Sequence, residues 1–194
     1  MKWVKITAFV FSSILVAQCA TAQPASPVDA LKITDDGIGT ISATTAVDLA
    51  IIQKTFPKYD VKADQTYSEG EPTGKSIKVS NTQKLLFEIN SAGVGSKKLF
   101  SVVIHDSQYT TSLGLHVGSR VEDILSASSK STCSRGFEET QDEVHCILSP
   151  PNIIYVFPLR GSEEENAGIG KPVKIASAQG RKIVAIVWKP KRQK

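Results

Sequence analysis

SIKVSNTQKLLFEIN, Ser76 to Asn90, is the stretch on which the fold turns. Ile77 and Val79 alternate with polar residues, Leu85, Phe87 and Ile89 do the same, and Asn81-Thr82 stands between the two runs. A period of two places each apolar set on one face of a pleated strand, so the stretch predicts an antiparallel hairpin with one buried side. Just upstream, EGEPTGKS (Glu69 to Ser76) ends like a phosphate-binding loop. Such a loop needs four residues between its first glycine and Gly-Lys, then a helix whose amides complete the anion cradle. Here three residues separate Gly70 from Gly74, and a strand follows. The segment therefore reads as a strand-connecting loop with Pro72 and Gly74 as turn residues, which excludes nucleotide hydrolysis. The pairs Gly37/Gly39, Gly93/Gly95 and Gly168/Gly170 lack the third glycine of a dinucleotide fingerprint.

Strand patterning continues on both sides. Tyr59 to Lys62 is a short strand and Leu99 to His105 a longer one. Val144 to Leu148, Ile153 to Phe157 and Lys182 to Trp188 are strand-length and rich in β-branched and aromatic residues. Two short helices interrupt the pattern. The first is capped by Thr45, turns Val47, Ile51 and Ile52 inward and ends at Phe56-Pro57. The second opens with Ser119 and Glu122 at capping-box spacing and runs through Leu125, fed by a turn between Gly114 and Gly118. The expected fold is mainly β, with antiparallel sheets in a sandwich-like arrangement and two short helices. It forms a single domain over residues 31–191, preceded by a flexible leader (23–30) and followed by a basic tail (192–194). With 194 residues, 41% of them hydrophobic, the chain can fill one such core.

The N-terminus has secretory grammar: Lys2 and Lys5, the apolar run Ile6 to Val16, then small and polar residues. That run is too short for a mature membrane-spanning helix, and no later run approaches eighteen apolar residues. Ala20-Thr21-Ala22 predicts a signal peptide over 1–22, cut between Ala22 and Gln23, and release into the periplasm. Cys19 offers the alternative, lipidation and an outer-membrane anchor, although Gln18 departs from the small residue that lipoprotein processing favours. Removing residues 1–22 takes two lysines and no acid, leaving 21 basic against 19 acidic residues. So balanced a charge gives no general warrant for binding nucleic acid or anionic membranes, and the membrane association expected is peripheral or lipid-anchored.

Cleavage after Ala22 leaves Cys133 and Cys146 in a compartment where disulfides persist, and the two are expected to be bonded around a fourteen-residue loop. A metal pair with His145 is the rival reading, but no further ligand stands at familiar spacing, and no metal or cofactor is expected. The chain has three histidines and no G-x-S-x-G elbow. His105 sits beside Asp106 at a strand end, where neighbours face apart. The acidic runs Glu138-Glu139 with Asp142-Glu143, and Glu163 to Glu165, read as solvated loops rather than paired glycosidase carboxylates. Glu69, Glu71 and His105 remain as polar-site candidates.

The order of motifs carries a resemblance. FPKYDVK (Phe56 to Lys62), SEGE (Ser68 to Glu71), LFSVVIHD (Leu99 to Asp106) and SLGLHVGSRVEDI (Ser112 to Ile124) lead into Cys133 and Gly136-Phe137-Glu138-Glu139. Cys146, PNIIYVF (Pro151 to Phe157) and IVAIVWKPK (Ile183 to Lys191) complete the series. The series resembles the RpoE-regulated lipoprotein family of Gram-negative envelopes, domain of unknown function 1131, over Ile33 to Lys191. The resemblance implies one mainly β periplasmic domain under envelope-stress control, often lipid-tethered, and brings no established catalytic residues. The functional expectation is a non-enzymatic exported module that binds another envelope component. The alternatives are an envelope-polymer hydrolase using SEGE and His105, or a periplasmic inhibitor presenting the loop between Cys133 and Cys146.

Overall fold

A computed structural model describes residues 32–127, 131–137, 140–148, 151–159, 168–173 and 180–191. The expected signal peptide, leader and tail, with Cys19, Ala22 and Gln23, lie outside the described residues, as do Glu138-Glu139 and Glu163 to Glu165. The chain is mainly β with two helices, as the patterning predicts. In order it forms β1 (Lys32–Ile33), β2 (Gly37–Ile38), β3 (Ile41–Ser42), α1 (Leu49–Thr55), β4 (Asp60–Ser68), β5 (Glu71–Asn81), β6 (Lys84–Ser91) and β7 (Leu99–Ile104). Then come β8 (Thr110–Thr111), α2 (Val121–Ala127), β9 (Thr132–Arg135), β10 (Glu143–Ile147), β11 (Ile153–Pro158) and β12 (Ala185–Trp188).

Eight strands make one antiparallel sheet in the order β4-β5-β6-β7-β12-β11-β10-β9, and four short strands make a second in the order β3-β2-β1-β8. Register explains why the large sheet has one dry face. Val61, Val79, Phe87, Ile104, Ile186, Tyr155, Cys146 and Cys133 stand opposite one another across all eight strands, and every one is buried. The next row, one residue along, is Lys62, Lys78, Glu88, Val103, Val187, Ile154 and Ile147, and each of these keeps some exposure. A period-two sequence can bury only one of its faces, and the second layer covers that one. Phe56 at the end of α1 meets Phe87 edge-on at 5.3 Å, and Phe87 meets Tyr109 beside β8 at 6.0 Å. Asp35, in the β1–β2 turn, accepts hydrogen bonds at its carbonyl from Trp188 Nε1 and Asn152 Nδ2. Val121 and Ile124 of α2 join the same buried cluster.

The local signals are displaced from where the sequence puts them. α1 begins four residues after Thr45 and is capped by Asp48, whose carboxylate accepts from the Ala50 amide; Thr45 instead closes the turn after β3 by accepting from Ser42. Only half of a capping box forms in α2, and one residue on: Asp123 accepts from the Arg120 amide at 2.7 Å, while Ser119 Oγ accepts from the His116 amide and Glu122 from the Gly180 amide. Pro72 and Gly74 are not turn residues. They lie inside β5, and the turn is Glu69-Gly70, both at positive φ (50° and 84°), the conformation of a two-residue hairpin loop whose twist suits the flanking strands. Gly74 serves packing: a Cβ there would come within 2.9 Å of Ser91 Oγ, the acceptor of the Lys75 amide. Gly-Lys-Ser is thus a piece of strand. Cys133 and Cys146 are disulfide-bonded as directly paired residues of β9 and β10, so the bridge staples the edge hairpin of the sheet. Among the described residues no helix is long and apolar enough to cross a membrane.

Candidate functional site

The site is a groove of about 530 Å³ at one end of the large sheet, built from four separate segments. Ala43-Thr44 follows β3, Ala92 follows β6, Lys98 to Phe100 enters β7, and Lys189 to Lys191 leaves β12. Antiparallel pairing of β7 with β12, with Val102 opposite Trp188, makes the entry of one strand the neighbour of the exit of the other. Asn90 pairs with Ser101 and Ser91 with Leu99, which leaves Phe100 as the extra residue of a β-bulge. A bulged residue is turned out of the ladder. Leu99 is accordingly buried while Phe100 is 50% exposed.

Hydrogen bonds and ion pairs fix the walls. The Lys189 amide donates to the Asn152 carbonyl, and Ala92 donates to Lys98. Lys191 reaches the Asp35 carboxylate at 3.0 Å, tying the end of β12 to the β1–β2 turn. Lys97, just outside, pairs with Asp48 at 2.6 Å, and that hydrogen bond holds the Asp48 carboxyl below the usual range. Lys189 stands differently, its ammonium 5.2 Å from the centre of the Phe100 ring. Neither Lys98 nor Lys189 has a carboxylate partner among the described residues. The groove therefore combines an apolar lining with two cations that have no carboxylate partner among the described residues.

The sequence-derived polar candidates fall elsewhere and apart. Glu69 and Glu71 are exposed at the β4–β5 turn. His105 Nε2 lies 3.4 Å from Glu88 Oε1, a long ion-pair approach rather than a well-formed hydrogen bond. Glu88 stands opposite Lys78, and Lys78 is seven positions along β5 from Glu71, which at roughly 3.3 Å per residue separates the candidates by about 23 Å. The half-buried Glu88 carboxyl is held below its ordinary value by His105 first, against the opposing effect of burial, with Lys78 and the Ser76 hydroxyl adding to the lowering. Asp106 faces away from His105: it is buried and accepts from Lys84 at 2.6 Å and from the Gln108 amide at 2.8 Å.

A second, shallower pocket brings His116, Ser119, Asp123 and Ser126 together, a composition the search for a nucleophile elbow passes over. Their hydrogen bonds belong to chain turning. Ser119 Oγ accepts from the His116 amide, His116 Nδ1 lies 2.9 Å from the Val117 carbonyl, and Asp123 caps α2. No bond among these links a serine hydroxyl to the imidazole, the relay a nucleophile requires. His145 pairs with Glu143 at 2.8 Å on the face of β10 opposite Cys146. Among the described residues no three histidine, cysteine or acidic side chains gather as metal ligands. The groove residues were missed because no local pattern marks them.

Comparison with known proteins adds a family and a fold. Residues 19–189 match the sequence profile of a family described as protein of unknown function (DUF1131). Among solved structures, the chain is similar to the uncharacterized protein YfeY from Escherichia coli, with 19% sequence identity and a TM-score of 0.63. The similarity covers 81% of this chain and 99% of that one. No curated protein matches the sequence.

Proposed function

We propose, from the premise that the chain belongs to the DUF1131 family, that it is a non-enzymatic exported module of the cell envelope that binds an envelope component in the groove around Phe100. One observation carries the reading: an aromatic ring half exposed inside a concavity, beside Lys98 and Lys189 without carboxylate partners among the described residues, is a surface that a ligand completes. Export is supported by the Lys2/Lys5 and Ile6 to Val16 grammar and by the Cys133–Cys146 bond, which persists in oxidising compartments. The family match begins at Cys19, which keeps a lipid anchor at that residue beside release after Ala22. Envelope-stress control belongs to the same proposal, by family resemblance.

The test places a photocrosslinking residue at position 100 of the full chain in cells, with a control at Lys62 on the far edge, and fractionates the cells. The expected result is an envelope-fraction protein with an adduct specific to position 100. Cytosolic localisation overturns the export reading, and equal adducts at both positions overturn the groove. Turnover of a cell-wall fragment that is lost on Glu69→Gln/Glu71→Gln or His105→Ala substitution overturns the non-enzymatic reading. The inhibitor alternative rests on Phe137, 63% exposed next to the stapled hairpin. It predicts that reducing the disulfide abolishes binding, whereas a groove ligand is retained.

A further inference from the structure

The chemistry of the groove narrows its occupant. Its lining is apolar at Ala43, Ala92, Phe100 and Pro190, with Leu99 almost wholly buried, and cationic at Lys98, Lys189 and Lys191. One of these three cations is matched, by Asp35. The remaining charge is local, because 21 basic and 19 acidic residues remain once residues 1–22 are set aside. An apolar ligand would bury the Phe100 ring and leave the lysines unsatisfied. A small anion would satisfy the lysines and leave the ring in water. Either half alone wastes the other, and the hydrophobic gain grows with each methylene buried.

The geometry points to a monomeric long-chain carboxylate as the ligand: its chain lies along Ala92, Phe100 and Pro190, and its head sits between Lys98 and Lys189. This rests on the groove being the binding site proposed above. The volume of about 530 Å³ falls within the range of pockets that enclose single small molecules, and the lysines bind carboxylate as point charges. The present contact of the Lys189 ammonium with the Phe100 ring is one that a carboxylate and chain would compete for.

The experiment is isothermal titration of the protein, purified from cells producing the full chain, with dodecanoate below its micelle concentration. Dodecanol and butyrate are titrated in parallel. Saturable one-to-one binding of dodecanoate is expected, with both controls at least tenfold weaker. Lys98→Gln/Lys189→Gln and Phe100→Ala should each weaken dodecanoate at least tenfold while leaving the thermal unfolding midpoint within a few degrees, since all three side chains are at least partly exposed. Equal affinity for dodecanol overturns the role of the lysines, and equal affinity for butyrate overturns the role of the apolar lining. No saturable binding, or binding unchanged in both variants, overturns the proposal, as does sedimentation with phosphatidylglycerol vesicles without monomer binding. A failed titration alongside a position-specific adduct from residue 100 overturns only the ligand class; loss of both overturns the groove itself.

Discussion

Replacing Cys133 and Cys146 together by alanine tests what the staple on the sheet edge contributes. β9 is four residues long, sits at the end of the eight-stranded order and has β10 as its ladder partner. The two cysteines occupy directly opposed positions, so the native hairpin keeps its register without the bond. The effect therefore falls mainly on the unfolded chain, where closing a loop of about fourteen residues is worth about 3 kcal/mol. For a domain of this size that corresponds to a fall in Tm of about 6–12 °C. Urea unfolding followed by circular dichroism, on oxidised protein, reduced protein and the double variant, measures the loss. The oxidised form should also show the smaller dependence on urea, because its unfolded state is more compact. Native-state hydrogen exchange should lose protection in β7 and β12 as well as in β9 and β10, because core amides that exchange through global unfolding report the stability of the whole domain. Protection lost in β9 and β10 alone, with Tm unchanged, would refute the reasoning, since the bridge would then be holding the native edge rather than constraining the unfolded chain.

Three further outcomes follow from the same geometry. Phe87→Ala empties the middle of the Phe56–Phe87–Tyr109 ring chain and should cost about 3–5 kcal/mol in urea unfolding, with β4 to β7 affected first. The folded-state pKa of Glu88 is depressed, so its interactions stabilise above the ordinary glutamate value of 4.5 and are lost as pH falls below it through the folded value; Glu88→Gln should flatten that acid limb of the stability curve. Gly74→Ala should cost about 1–2 kcal/mol by pushing the Ser91 hydroxyl off the Lys75 amide, and Ser91→Ala should recover part of that cost in a double-mutant cycle.

The fold was legible where burial is repeated. Ile77, Val79, Phe87 and Ile89 each sit on the face the alternation assigns them, because a one-residue slip would carry the whole set into water. Turns and caps were displaced by one to four residues, since their energies are small and several neighbours compete for each. Asp48 takes the cap that Thr45 was expected to hold, and Asp123 takes the place of Glu122. Glu69 hid the hairpin tip because it adopts positive φ, which a glutamate rarely does, and the prolines and glycines nearby gave a louder but wrong turn signal.

The groove was illegible for a different reason. Phe100 faces outward because the β6–β7 ladder slips by one residue between Asn90 and Ser91, and a slip is a property of two strands together. Lys189 reaches Phe100 because β12, eighty-odd residues later, is the strand that pairs with β7. In sequence, Lys98-Leu99-Phe100 reads as an ordinary strand entry and Lys189 to Lys191 as the close of the last strand motif. Only the crossover that places β12 between β7 and β11 makes them one surface. Glu71 and His105, each plausible in its own segment, are kept apart by register instead, since Glu71 lies seven positions along β5 from Lys78, the partner of Glu88. Residues that could act together in this chain are therefore decided by strand order and register, which is where the search for its ligand should start.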